Sequence, residues 1–261
     1  VDKGGKPTFD KVMKGLGLLK KNGVEFNVLT TVHAANADHP KEVYYFLRDV
    51  AETTFMQFIP IVERDNDTGY QEGHRVTPRS VTARQYGEFL MGLFDEWIKK
   101  DVGRRYVQIF DEALGAWSGY EPSLCIFRET CGSALALGHE GDLFSCDHFV
   151  EPNYKLGNIQ EKTLMEMVSS EEQQRFGQDK KDTLPRYCRE CEVRFMCNGG
   201  CPKNRIIKTP DGEEGLNYLC AGYKAFFNYI DAPMRFMANE LRHHRAPANV
   251  MNFWAQREAS L

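Results

Sequence analysis

The stretch Cys188-Arg-Glu-Cys191-Glu-Val-Arg-Phe-Met-Cys197-Asn-Gly-Gly-Cys201-Pro202 concentrates thiols at intervals of two, five and three residues. Such short intervals bring several sulfur atoms together without help from a large core. The chain has eight cysteines in all, and the others are Cys125, Cys131, Cys146 and Cys220. Eight thiols suffice for two sites of four thiolates each. We therefore interpret the region from Cys125 to Cys220 as a pair of metal clusters.

Three kinds of site compete for these thiols. Disulfides are typical of small secreted domains, whereas this chain has 261 residues and 42% hydrophobic residues, enough for an ordinary core. The CxxC spacing of Cys188 and Cys191 suits a zinc knuckle, but the intervals of five, fourteen and eighteen residues fit paired knuckles poorly. Iron-sulfur clusters tolerate wider and less regular spacing. The spacing thus favours iron-sulfur clusters and leaves zinc as the main alternative.

Two glycines lie between the last two thiols of this stretch. Gly199 and Gly200 can adopt a positive φ and turn their amide groups toward sulfur, which offsets the negative charge of a cluster. An ordinary Gly-Gly turn is the alternative. The flanking Cys197 and Cys201 favour the first interpretation.

Composition and charge exclude several classes of protein. The formal net charge of -4 gives no indication of nucleic-acid binding. No apolar run approaches membrane-spanning length, and the first residues form neither a signal peptide nor a transit peptide. Clustered thiols favour a reducing compartment, so we expect a cytoplasmic protein. The chain opens with Val1-Asp2-Lys3 instead of Met, and we expect it to be a fragment.

Strands and helices alternate in the first 120 residues. This alternation predicts β-α units around a parallel sheet, followed by a change of domain at about residue 120. The predicted strands are Glu25–Val32, Phe55–Ile61 and Tyr106–Phe110, and the predicted helices are Pro7–Gly23, Pro40–Glu52 and Thr82–Lys100. Residues 63–80 are polar and predict a loop over a site.

The remaining residues predict smaller elements. Leu135–His148 has the pattern of a hairpin with Cys146 on its second strand, and Phe226–Leu241 predicts a terminal helix. The charge run Asp179–Asp182 predicts a solvated surface. Asp147 directly follows a candidate ligand, so it is either a general base at a fixed distance from a cluster or a turn residue facing water.

The complete thiol pattern resembles a known family. It runs Cys125-x5-Cys131-x14-Cys146-Asp147, then Cys188-x2-Cys191-x5-Cys197-x3-Cys201-x18-Cys220. This pattern is similar to the SPASM domain of radical S-adenosylmethionine enzymes, specifically the anaerobic sulfatase-maturating enzymes. The resemblance covers essentially the whole chain, and it also includes Thr8–Val12, Val24–Leu29, Gln57–Ile59, Leu156–Ile159 and Leu216–Tyr218.

The resemblance implies an α/β fold with two parts. Residues 1–120 would be the C-terminal half of a partial (β/α)6 radical SAM barrel, and residues 121–261 an irregular α+β SPASM iron-sulfur domain with a C-terminal helix. The family binds S-adenosylmethionine and a third 4Fe-4S cluster through a CxxxCxxC motif that these 261 residues lack. The resemblance therefore implies a fragment that is inactive alone.

The resemblance also implies how the thiols are divided. One auxiliary 4Fe-4S cluster would use Cys125, Cys131, Cys146 and Cys201, and the other Cys188, Cys191, Cys197 and Cys220. Sequence spacing does not reveal this interleaving. With cysteine at every position neither cluster has an open site, so electron transfer is the implied role.

The implied reaction is oxidation of a sulfatase cysteine or serine to Cα-formylglycine. A 5′-deoxyadenosyl radical would remove a hydrogen atom from the β carbon, with Asp147 as the base. Asn27 and Val62 match positions where the family's barrel contacts S-adenosylmethionine. Implied partners are an unfolded or nascent sulfatase polypeptide and an electron donor such as flavodoxin or ferredoxin. Two alternatives stay open, namely another SPASM-containing peptide-modifying enzyme and a zinc-stabilised binding scaffold.

Overall fold

A parallel three-stranded sheet forms the first part of the fold. The computed structural model describes residues 4–258, and side chains as far as Trp254, so Val1–Lys3 lie outside the described residues. The strands β1 (Asn27–Val32), β2 (Phe55–Pro60) and β3 (Tyr106–Val107) pair in that order. Both pairings are parallel, with Asn27 opposite Phe55 and Phe55 opposite Tyr106. The structure thus confirms the predicted parallel β-α arrangement, and no closed barrel occurs within residues 4–258.

Helices connect and cover these strands. They are α1 (Phe9–Lys21), α2 (Pro40–Tyr45, continued by a π-helical turn over Phe46–Val50), α3 (Ala83–Lys100) and α4 (Gln108–Trp117). The predicted strand Tyr106–Phe110 is wrong beyond Val107, because α4 already begins at Gln108. Helical geometry lets Phe110 pack its ring 5.2 Å from the rings of Phe94 and Trp97. A short apolar run fits both strand and helix, and here packing decides for the helix.

Helix α3 is the centre of the core. Thr82 and Gln85 form a capping box at its start. The side chains predicted to form its core face are all buried, and they are Tyr86, Leu90, Leu93, Phe94 and Trp97. Its outer partner is α9 (Cys220–Tyr229), which approaches so closely that a Cβ on Gly87 would lie 2.8 Å from the Gly222 Cα. Only glycine permits this distance between the two backbones.

The cysteine-containing part is built from short elements. The hairpin strands β4 (Ala136–Leu137) and β5 (Asp142–Phe144) form an antiparallel sheet with β6 (Lys155–Asn158). The helices that follow are α5 (Leu164–Val168), α6 (Glu171–Asp182), α7 (Arg186–Arg189) and α8 (Arg194–Cys197). The hairpin prediction is confirmed. The placement of Cys146 on its second strand is wrong, because β5 ends at Phe144 and Cys146 lies in the turn beyond it.

The end of the chain contains more than the one helix predicted. After α9, a break at Ile230 separates α10 (Asp231–Arg242), and α11 (Val250–Glu258) follows. Pro233 lies in the first turn of α10, a position that suits a residue without a backbone N–H. Leu219, Phe226, Phe227, Met234 and Met237 are buried in the same hydrophobic core as α3. Because one core extends to both sides of residue 120, the domain boundary there stays a prediction. None of the described helices has the length and apolar character needed to cross a membrane.

Candidate functional site

The eight thiols line two separate cavities. We define the first cavity by Cys125, Cys131, Cys146 and Cys201, which line a space of about 370 Å³ that is partly open to solvent. We define the second cavity by Cys188, Cys191, Cys197 and Cys220, which line a similar space of about 360 Å³. All eight cysteines are free, so none is paired in a disulfide. The grouping is interleaved along the chain, because Cys201 joins the first cavity although the three thiols before it line the second.

Backbone amide groups point at several of these sulfur atoms. In each case the donor is the N–H two residues after the cysteine, and for Cys146 it lies 3.5 Å from Sγ. The pairs are His148 to Cys146, Val193 to Cys191, Gly199 to Cys197 and Lys203 to Cys201. Amide donors of this kind stabilise negative charge on sulfur and tune iron-sulfur sites. Both cavities are therefore prepared to hold thiolates.

Gly199 and Gly200 form the bridge between the two cavities. Their φ angles are 73° and 64°, which confirms the predicted left-handed conformation. A Cβ on Gly200 would lie 2.5 Å from the Asn217 side-chain nitrogen, and one on Gly199 would lie 2.4 Å from Leu184. Glycine is therefore required here by both conformation and space. This tight turn lets Cys197 and Cys201 line different cavities.

The spread of the thiols suits a cluster with several metal atoms. Four thiolates on one zinc ion would lie roughly 3.8 Å apart, as the Zn–S distance requires. No three His, Cys, Asp or Glu side chains in the described part of the chain gather closely enough to hold a single metal ion. A 4Fe-4S cube instead stands between its four ligands, which is the arrangement that each cavity provides. The residues present thus fit the group that the sequence predicts.

Burial keeps the unligated thiols protonated. It raises the pKa of Cys146, Cys197 and Cys220 to about 12 and that of Cys201 to about 11. For Cys146 the adjacent Asp147 raises the pKa further. Iron binding must displace these protons, since metals bind thiolates. Loading of either cavity therefore releases protons to solvent.

Asp147 lies at the rim of the first cavity. Its backbone N–H donates to the Ala134 carbonyl over 3.0 Å, and its carboxylate accepts a 3.3 Å hydrogen bond from the Cys146 thiol. The carboxylate is exposed, whereas the neighbouring His148 is half-buried and lines the cavity. An incoming molecule can reach Asp147 while it lies directly beside a candidate cluster ligand. This position permits the predicted base role, which stays a prediction.

The loop of residues 63–80 connects the first cavity to the carboxyl end of the parallel sheet. Arg64 donates to the Lys203 carbonyl, and the Gln71 N–H donates to the Glu151 carboxylate over 2.6 Å. His74 Nδ1 lies 3.0 Å from the carbonyl of Ile206. Active sites of α/β barrels lie at the carboxyl ends of the strands. The first cavity and Asp147 are therefore on the side of the sheet where chemistry is expected.

The two predicted S-adenosylmethionine contacts lie at opposite ends of the sheet. Asn27 is the exposed first residue of β1, and Val62 is buried two residues after the end of β2. A strand rises about 3.3 Å per residue, so roughly 16 Å separate the ends of β1. Of the two, Val62 lies at the carboxyl end of the sheet. The structure does not bring these two residues together, and both contacts stay predictions.

Lys180 lies near the first cavity and was also placed wrongly by the sequence prediction. It belongs to the charge run predicted to be solvated, yet only 1% of it is exposed. The buried residues of α6 are Gln173, Gly177 and Lys180, which form one stripe at helical spacing. An apolar stripe would have predicted burial, whereas this stripe is polar. The helical spacing of these three residues was the one signal in the sequence that could have predicted the burial of Lys180.

Known proteins resemble this chain in sequence and structure. Residues 125–192 match the family model SPASM, an iron-sulfur cluster-binding domain. A serine-type anaerobic sulfatase-maturating enzyme of Bacteroides thetaiotaomicron is 46% identical over 96% of this chain and 62% of its own length. A cysteine-type anaerobic sulfatase-maturating enzyme of Clostridium novyi is 30% identical over 94% of this chain and 64% of its own length.

A comparison with solved structures also finds similar proteins. The solved structure of native anSMEcpe with bound AdoMet and Cp18Cys peptide has a TM-score of 0.80 and 30% identity. The match covers 92% of this chain and 65% of that one. The chain therefore spans about three fifths of the length of the relatives it matches.

Proposed function

We propose that this chain, a homologue of anaerobic sulfatase-maturating enzymes, is the part of a radical S-adenosylmethionine enzyme that takes up the electron and the proton from the substrate. The whole enzyme would oxidise a sulfatase serine or cysteine to Cα-formylglycine. The observation that carries the proposal is the pair of four-thiol cavities with Asp147 at the rim of the first.

The thiols hold the groups that accept the electron. The first cavity would bind one 4Fe-4S cluster and the second cavity another. When bound, these clusters supply one-electron acceptors with no open coordination position. Because the Gly199-Gly200 turn joins the two cavities, clusters held there would lie close enough for an electron taken up beside Asp147 to pass between them. A flavodoxin or ferredoxin would be the electron donor of the whole enzyme.

Asp147 takes the substrate proton. A serine or cysteine side chain that loses a hydrogen atom from its β carbon must also lose its O–H or S–H proton and one electron. Serine then gives the aldehyde directly, whereas cysteine gives a thioaldehyde that water converts to the aldehyde with release of hydrogen sulfide. The exposed Asp147 carboxylate is the acceptor for that proton. We propose that Val62 contacts S-adenosylmethionine from the carboxyl end of β2. A role for Asn27 would require the cofactor to extend along the sheet.

The 261 residues lack a CxxxCxxC motif, so cleavage of S-adenosylmethionine requires residues outside them. We propose that this chain alone does not start the radical reaction. We propose that the protein works in the cytoplasm, and the eight unpaired cysteines support a reducing compartment.

The test uses the full-length protein with S-adenosylmethionine, a reductant and matched sulfatase peptides carrying serine or cysteine at the target position. We expect the mass change of aldehyde formation. The higher identity to a serine-type relative makes the serine peptide the first choice. A cross-link in another peptide, without aldehyde, would point instead to a different SPASM-containing peptide-modifying enzyme.

Asp147→Asn should abolish turnover while iron per chain stays unchanged. Asp179→Asn is the matched control, because Asp179 is an exposed carboxylate on α6. This variant should retain full activity. Two clusters require about eight irons per chain and a broad visible absorbance. Zinc in place of iron would reject the redox function and leave a metal-stabilised binding scaffold.

A further inference from the structure

Lys180 brings a buried positive charge to the first cavity. Its Nζ donates to the carbonyls of Cys125 and Ile126 over 2.6 and 3.1 Å. Its charge interacts favourably with three first-cavity thiols in their ionised form, those of Cys125, Cys131 and Cys201. The thiols with which its charge interacts most strongly all line the first cavity. We therefore associate Lys180 with the first cavity.

Arg205 lies between the two cavities. Its guanidinium donates to the carbonyls of Asn198 and Gly199, in the turn that joins the cavities, and to the carbonyl of Lys180 over 2.6 Å. Its charge interacts favourably with thiolates on both sides, namely Cys131 and Cys201 of the first cavity and Cys188 and Cys197 of the second. Arg205 is therefore shared by the two cavities.

Neither cation has a carboxylate partner. In the part of the chain that the structure describes, Lys180 and Arg205 form no ion pair. The cations around the second cavity differ, because Lys224 pairs with Glu192 at 3.3 Å and Arg194 pairs with Glu129 at 3.7 Å. At the first cavity Lys203 is also close to Cys201, but it is only half-buried. Its charge is more strongly screened by water than that of Lys180.

Lys180 is buried and Arg205 is half-buried, and a cation withdrawn from water without an anion is unfavourable. Burial lowers the pKa of Lys180 and of Arg205, whereas ionised thiols nearby raise it. The carbonyl groups around them supply hydrogen bonds but no net charge. Thiolates with bound iron are the remaining source of negative charge. The two cations thus fit a molecule whose cavities carry clusters.

We propose that Lys180 and Arg205 set the reduction potentials of the two clusters, with Lys180 acting on the first cavity alone and Arg205 on both. The inference rests on the proposed function, and both residues act as positioning charges without touching substrate. Reduction adds one negative charge to a cluster, and a fixed buried cation stabilises that charge. Lys180 would raise the reduction potential of the cluster beside Asp147, which is the one closest to the substrate, and so favour uptake of the substrate's electron.

The experiment is a redox titration of the full-length protein reconstituted with iron and sulfide, in which electron paramagnetic resonance follows the clusters of the two cavities. Lys180→Gln and Arg205→Gln keep a hydrogen-bond donor and remove the charge. We expect Lys180→Gln to lower one of two midpoint potentials and Arg205→Gln to lower both. The expected size is at least about tenfold in the one-electron equilibrium, or about 59 mV. Lys180→Arg and Arg205→Lys should largely restore the wild-type values.

Lys181→Gln is the matched control, because Lys181 is adjacent but half-exposed and paired with Glu129 at 3.2 Å. It should leave both potentials unchanged. Iron per chain is measured for every variant. If Lys180 had only a structural role, both Lys180→Arg and Lys180→Gln would lose iron. Unchanged potentials at full iron content would overturn this inference and leave the proposed function standing. A wild-type chain that binds no iron would reject both.

Discussion

The second cavity is built into hydrophobic packing, whereas the first is held by hydrogen-bonded loops. Cys191 and Cys197 pack against the main core, and Cys188 and Cys220 pack with Leu184 and Leu216. At the first cavity the Cys131 N–H donates to the Gly177 carbonyl over 3.0 Å, and the Gln173 side chain donates to the Gly132 and Ser145 carbonyls.

The difference fits two roles on one electron path. A site that receives a proton and an electron from a peptide must be reachable, and Asp147 at the rim of the first cavity is exposed. A site that only passes the electron on gains from burial, which excludes water and fixes its ligands. The Gly199-Gly200 turn links the two cavities, although the first is reachable at Asp147 and the second is packed into the hydrophobic core.

The largest expected effect tests which thiols belong together. Cys146 and Cys201 line the same cavity. The variants Cys146→Ala and Cys201→Ala should therefore each lose about half of the wild-type iron content, and the double variant should lose no more than that. Cys197→Ala combined with Cys201→Ala removes a ligand from each cavity and should lose nearly all iron. Iron analysis after anaerobic reconstitution measures both. If the Cys197–Cys201 pair retained half of the iron, the interleaved assignment would be wrong.

The next effect concerns stability. Cys220→Ala should lower the melting temperature of the reconstituted chain more than Cys146→Ala, although each removes one cluster. Cys220 begins α9, which packs against α3 in the core, whereas Cys146 lies in a turn beyond a short hairpin. Metal binding contributes directly to folding free energy, so the loss is larger where the ligand also anchors a core helix. Equal melting temperatures would contradict the difference between the cavities.

A smaller effect comes from the helix crossing beneath the second cavity. A Cβ on Gly222 would lie 2.0 Å from the Ala83 carbonyl oxygen, so Gly222→Ala must push α9 away from α3. We expect a loss of about 1–3 kcal/mol in the free energy of unfolding, as is usual for overpacking. Cys220 moves with α9, so the second cluster should also be lost preferentially.

Denaturant unfolding and iron analysis measure this change. The control is Gly15→Ala, in α1, where an added Cβ meets nothing within 4 Å. That variant should be neutral or slightly more stable. Loss of the first cluster instead of the second in Gly222→Ala would show that α9 does not position the second cavity.

The grouping of the thiols was easier to predict than the structure around them. Cysteine spacing indicated metal clusters, and the two cavities contain the same two sets of four thiols that the family resemblance implied. Spacing alone could not show that Cys201 crosses to the first cavity, because that depends on the left-handed turn at Gly199 and Gly200. The parallel strands were predictable because each has enough residues for a clear pattern.

The errors have a common physical cause. Lys180 was predicted to be solvated because its neighbours in sequence are charged, yet its burial depends on carbonyls of the distant segment at Cys125 and Ile126. Phe110 was predicted to lie on a strand because an apolar run has no unique period. Both side chains are placed by contacts with other segments of the chain, which a local sequence pattern does not identify.

The smallest expected effect probes the loops of the first cavity. A Cβ on Gly177 would lie 2.7 Å from the Cys131 carbonyl oxygen, and the Cys131 N–H donates to the Gly177 carbonyl. Gly177→Ala should therefore displace the Cys131 segment at a cost of about 1 kcal/mol, because a loop shifts more easily than a packed helix. The first cluster should then exchange its iron faster with a chelator, while the second keeps its wild-type rate.

Gly115→Ala in α4, where a Cβ meets nothing within 4 Å, is the control and should gain up to about 1 kcal/mol in stability. If Gly177→Ala destabilised the chain as much as Gly222→Ala, or released iron equally from both clusters, the first cavity would be as firmly packed as the second.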